Sequence, residues 1–165
     1  MADSTVIAVL TVLHVASAMG WLGGVMFFLS AVGPGIRSFS PSASLEFLTK
    51  VGPKQVRFFA GVSTAAIVFG LALLFAAFGM DYTAWPWYIE AGLGMGFVAY
   101  LLTVLVTVPT LRKIDRIARD IMGKPPGPPP PEFPRLLKRA NMATMLTAAV
   151  LLLALVFMVS TSVFA

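Results

Sequence analysis

One side chain in this sequence combines ionisable chemistry with a wholly apolar setting. His14, the single histidine, lies in the stretch Leu13-His14-Val15-Ala16-Ser17-Ala18-Met19-Gly20-Trp21-Leu22-Gly23-Gly24, within an apolar run long enough to cross a bilayer. A neutral imidazole nitrogen is a standard axial ligand for haem iron and a metal ligand more generally. On a helix, Trp21 follows seven residues later on the same face, and Ser17, Ala18, Gly24, Val25 and Phe28 complete the stripe. Counted from an outer boundary near Val6, the helical rise puts His14 roughly 12 Å below the surface, inside the hydrocarbon. An imidazole at that depth needs a partner, and it marks a cofactor, a proton path or a polar pair between helices.

The remaining inventory narrows the chemistry. Without cysteine there are no disulfides, thiolate metal sites or cysteine nucleophiles. No nucleophile has a neighbouring base, no glycine loop is built to cradle phosphate and no ligand cluster is spaced for a metal, which argues against hydrolytic and phosphoryl-transfer enzymes. A single histidine rules out a bis-histidine haem site within one chain. The second axial position would fall to a methionine, to an open site or to His14 of a second copy. Among nine methionines, Met158 in the last apolar segment has the depth of His14, Met95 in the third is comparable, and Met19 lies nearer mid-span. Gly20, Gly23 and Gly24, with Gly92 and Gly96 on one face of the third segment, leave room for a flat ligand or a neighbouring helix. The candidate cofactor-binding residues are therefore His14, Trp21, Gly24, Gly92, Gly96 and Met158, with His14 as the metal ligand.

The elements that must position these residues follow from composition. Hydrophobic residues make up 58% of the 165 and charged residues 12%, about half the charged share of a soluble domain. Four apolar segments, 5–32, 56–79, 88–108 and 141–163, each reach the ~20 residues a spanning helix needs. The expected fold is all-α, one domain over 1–165 forming a four-helix transmembrane bundle. Ala16-Ser17-Ala18 resembles a signal-peptidase site, but no positive residues precede the run and it continues to Val32, so a retained first span is expected.

All twelve lysines and arginines fall beside two connections, Arg37 to Arg57 and Arg112 to Arg139. The positive-inside rule then predicts a multi-pass protein of the cell membrane with both termini outside and both basic loops in the cytoplasm. Topology accounts for the net charge of +5 without a nucleic-acid partner.

The connections carry their own expectations. Gly33-Pro34-Gly35 is expected to break the first helix, and 44–50 to form a short interfacial helix capped by Ser42 or Ser44. The aromatics of the second connection, Tyr82, Trp85, Trp87 and Tyr88, suit a membrane-interface belt. The third span is expected to end at Pro109, followed by an amphipathic segment, 111–121, able to lie on anionic headgroups. A proline-rich spacer, 124–134, leads to the last span.

Leu13-His14 followed by Trp21-Leu22-Gly23-Gly24 in the first span, four spans in all, and Val108-Pro109-Thr110-Leu111-Arg112-Lys113 at the exit of the third resemble the small four-helix membrane modules related to the copper-resistance D family and to bacterial membrane protoporphyrinogen oxidases. The resemblance implies that His14 matches a first-span histidine associated with haem b or metal handling. On that basis the chain is expected to bind haem b in electron transfer or haem handling. The alternative is a non-catalytic accessory subunit of a larger membrane complex, in contact with other subunits or a second copy, with His14 a polar anchor between helices. Transport is disfavoured, since no span is broken at the midplane and no charge lines a route.

Overall fold

The computed structural model describes residues 3–81, 83, 85–124 and 129–160. Four helices run through them: α1, Ser4–Ser38; α2, Pro41–Phe78; α3, Trp87–Met122; and α4, Glu132–Val159. Each is long and apolar enough to cross a membrane, and the described residues contain no strand. The four apolar segments expected from the sequence are thus helical as far as they are described, apart from Gly79 and Ser160, which follow the last helical residues of α2 and α4. Residues 125–128 of the proline-rich spacer and 161–163 of the last segment lie outside the described residues.

The helices outrun the apolar segments. The 38 residues of α2 rise roughly 57 Å, nearly twice the ~30 Å of bilayer hydrocarbon. The expected break at Gly33-Pro34-Gly35 does not occur, and the third helix runs through Pro109 into the amphipathic extension, because the helix loosens just ahead of each proline. A π-helical turn, Phe28–Val32, precedes Pro34, and another, Leu102–Thr107, precedes Pro109. Proline lacks an N–H and its ring crowds the carbonyl four residues back; a wider turn there absorbs the misfit. In the second case the Thr107 hydroxyl donates to the Leu102 carbonyl, five residues earlier.

The interfacial helix expected over 44–50 is the first part of α2. That helix is capped by Ser40, whose hydroxyl accepts from the Ala43 amide, starts on Pro41 and continues through Pro53. The amphipathic segment after Pro109 does not lie on a surface either. Its apolar side, Val108, Leu111, Ile114, Ile117 and Ala118, is buried against Val56, Phe133 and Ala140, a core that begins at the edge of the apolar segments and extends beyond them.

The chain folds as two helical hairpins. α1 packs chiefly on α2, and the Trp87–Leu101 part of α3 packs chiefly on α4, while α2 meets α3 far more through Val108–Met122 than through Trp87–Leu101. The hairpins are closely joined at the basic end, called so from its lysines and arginines, and joined sparsely at the end where the chain begins. Midway, a second core gathers Trp21, Val25, Phe59, Ala66, Ala99, Ala148 and Leu151.

Candidate functional site

The seam between the hairpins holds the only histidine. α1 and α2 run antiparallel in a register that sets Gly24 beneath the Phe58 and Phe59 rings and His14 beside Ala66 and Gly70. A Cβ on Gly70 would stand 2.8 Å from the His14 Cε1 and 2.9 Å from its Nδ1, so the imidazole can approach the α2 backbone this closely only because that position is glycine. There Nδ1 is 2.9 Å from the Ala66 carbonyl oxygen. A carbonyl only accepts, so the proton sits on Nδ1, and in the neutral ring Nε2 is left as a lone pair. Nε2 has no hydrogen-bond partner among the described residues.

From the other hairpin, α3 and α4 bring a second close contact to the same level. A Cβ on Gly92 would meet the Met158 Cε at 2.9 Å and its Sδ at 3.2 Å, so the thioether also rests on bare backbone. His14 and Met158 line one cavity of about 160 Å³, together with Gly70 of α2 and Gly92 and Gly96 of α3. Every other lining residue is apolar, which leaves the imidazole as the one polar side chain in the wall.

Of the six residues singled out from the sequence, His14, Gly92, Gly96 and Met158 meet at this cavity, and Trp21 and Gly24 do not line it. Trp21 is 2% exposed and belongs to the central core, where its indole N–H has no partner among the described residues. Gly24 serves close packing against the two phenylalanines. Sharing a helix face with His14 did not bring either to the site, because seven residues of rise separate Trp21 from His14 by roughly 10 Å along the axis. Gly70 and Ala66 went unread. The available signal was Gly70 as the one glycine in the interior of the second half of the second apolar segment, opposite His14 once the spans are paired.

Sequence reasoning also passed over a belt of buried hydroxyls. Ser63, Thr103, Thr107, Thr110, Thr144 and Thr147 are all buried, and each donates back to a carbonyl of its own helix, as Thr103 does to Ala99 and Thr147 to Ala143. This satisfies polar groups where water is absent while keeping the side chains small enough for close helix contact.

The donor atoms and the space can each be tested against haem. Metal-binding histidines commonly give their second ring N–H to a backbone carbonyl, as His14 does, and a histidine–methionine pair is a known axial set. The space does not match. A cavity of about 160 Å³ is roughly half the ~300 Å³ at which pockets for drug-sized ligands begin. A macrocycle is larger than this volume, so haem would need the hairpins to stand further apart. No group of three or more His, Cys, Asp or Glu stands ready for a metal ion among the described residues.

Comparison with known protein families, with characterised proteins and with solved structures finds no match.

Proposed function

We propose that this chain is a multi-pass protein of the cell membrane, with both ends outside and its basic extension in the cytoplasm, and that it binds a small ligand at the seam between its hairpins with His14 as the contacting group. Support for the orientation is the placement of all twelve lysines and arginines beside one pair of connections. Because the chain has no cysteine, Ser4→Cys and Lys124→Cys each give a unique label site. A membrane-impermeant thiol reagent should label the first in intact cells and the second only after permeabilisation; the opposite pattern overturns the orientation.

The ligand-binding reading is carried by one observation: an imidazole whose Nδ1 is tied to Ala66 keeps an unshared Nε2 in a side chain that lines an apolar cavity. Haem b is the named cofactor to test against it. If bound, haem would supply one-electron transfer, with His14 and Met158 as the residues able to hold the iron; its size would require the hairpins to part. Protein purified in mild detergent is expected to be colourless. A stoichiometric Soret band lost in His14→Ala would establish haem instead.

A second reading has its own support. The bond to Ala66 accounts for an intramembrane imidazole without any ligand, and α1 is the helix least covered by the rest of the chain. Both suit an accessory subunit whose first helix faces other subunits or a second copy. Gentle purification that yields stoichiometric partners, with no saturable ligand at the cavity, would favour it.

A further inference from the structure

We propose that the ligand of the His14 cavity is a single phenolic ring drawn from the surrounding membrane, its hydroxyl donating to His14 Nε2. The proposal rests on the ligand-binding reading above and adds the ligand's chemistry. Size sets the first limit. A cavity of about 160 Å³ is close to the apolar cavity of ~150 Å³ known to admit one benzene ring.

Polarity sets the second limit. The Ala66 carbonyl fixes the ring proton on Nδ1, so the one polar side chain among the lining residues keeps its free acceptor on Nε2. A complementary ligand carries one donor and is otherwise apolar. A charged group, or a second hydroxyl held inside, would lie buried without a partner, and a ligand with acceptors alone would leave Nε2 facing another lone pair. Shape supplies the third limit. Gly96 presents backbone without a side chain to the cavity, and one turn away the Met158 thioether, lying over Gly92, is suited to contact with an aromatic ring. These features favour a planar ring over an aliphatic alcohol. The cavity opens between segments that lie in the apolar part of the chain, so such a ligand would enter by partitioning into lipid.

The test uses full-length protein in detergent micelles with 4-fluorophenol and fluorobenzene as probes, followed by fluorine NMR. The phenol should give a saturable bound signal with a Kd about tenfold below that of fluorobenzene, the difference one hydrogen bond makes. In His14→Leu that ratio should fall to about one while fluorobenzene still binds. If the variant does not fold, the wild-type protein labelled with ¹⁵N at histidine gives the same answer: 4-fluorophenol should move the Nε2 resonance and fluorobenzene should not. Equal affinity for the two probes sinks the phenol assignment and leaves a ligand-binding cavity. Saturable binding of neither sinks both. Cyclohexanol displacing 4-fluorophenol at equal affinity overturns the ring requirement.

Discussion

The two ends of α3 are built from different residues although they form one helix. From Trp87 to Thr107 its buried positions are Gly92, Ala99, Thr103 and Thr107; from Val108 to Met122 they are Val108, Thr110, Leu111, Ile114, Ile117 and Ala118. Small and hydroxyl-bearing residues give way to large aliphatic ones within about a turn of Pro109. Physical setting explains the change. Helices surrounded by lipid gain nothing from burying a leucine that lipid would solvate equally well, so they associate through close backbone approach and a few polar contacts. Beyond the apolar segment, water returns, and burying Ile114 against Val56 and Phe133 draws on the full hydrophobic effect. The two regimes also differ in tolerance for empty space: the basic end closes on an aliphatic core, whereas the sparsely joined hairpins at the other end leave the His14 cavity between them.

The sharpest way to break this contrast is to remove the same kind of atoms from both ends. Ile114→Ala should destabilise the fold by about 2–5 kcal/mol, the usual cost of emptying an aliphatic core site. Leu73→Ala, at the wall of the existing cavity, should cost less than half of that. Unfolding of both variants by SDS titration in mixed micelles, followed by circular dichroism, checks the ranking; equal losses would mean that the two ends are packed alike.

Adding atoms tests the close approach. Gly70→Leu should cost about 1–3 kcal/mol through overpacking and should move the histidine resonances, since the imidazole must leave the α2 backbone. Unchanged histidine signals would show that the ring does not rest there. Removing the polar contact should have a smaller effect: His14→Leu is expected to cost about 1 kcal/mol in the same titration, the scale of one interhelical hydrogen bond in a membrane.

The smallest effect concerns pH at the end where the chain starts. The Thr5 amide and the Ser4 hydroxyl donate to Asp3, and the Thr83 amide and hydroxyl donate to Asp81, so both carboxyls are held below their ordinary range. A lowered carboxyl contributes stability that is complete above the unfolded value near ~4 and is lost as pH falls through the folded value. The Thr5 and Thr83 amide resonances should therefore titrate below about pH 4, with little change in overall unfolding. Titration at ordinary carboxylate values would remove the caps from the picture.

Much of this was readable because lipid imposes a coarse rule on sequence. Runs of about 20 apolar residues must be helices, and depth counted along two of them matched Met158 to His14. Helix ends were misread for the opposite reason. Glycine and proline stop helices in water, but at Gly33-Pro34 and at Pro109 a π-helical turn just ahead of the proline absorbs its misfit and keeps the helix intact. The amphipathic period over 111–121 was correctly helical, yet periodicity alone does not say whether an apolar stripe meets a membrane surface or another helix. Trp21 and Gly24 erred through axial distance, which a helical wheel discards. Gly70 was missed because a glycine has no side chain to announce what will lie against it.

The His14–Ala66 bond also bears on how the protein is made. Its two partners are 52 residues apart in the chain, so at ~5–20 residues per second roughly 3–10 s of synthesis separate the imidazole from the carbonyl that accepts its proton. During that interval the first helix carries an unmatched polar ring into a setting that penalises it. A lone first helix is therefore an incomplete insertion product, and the pair of α1 and α2, joined by that bond beside Gly70, is the smallest piece of this chain in which the imidazole proton has its acceptor.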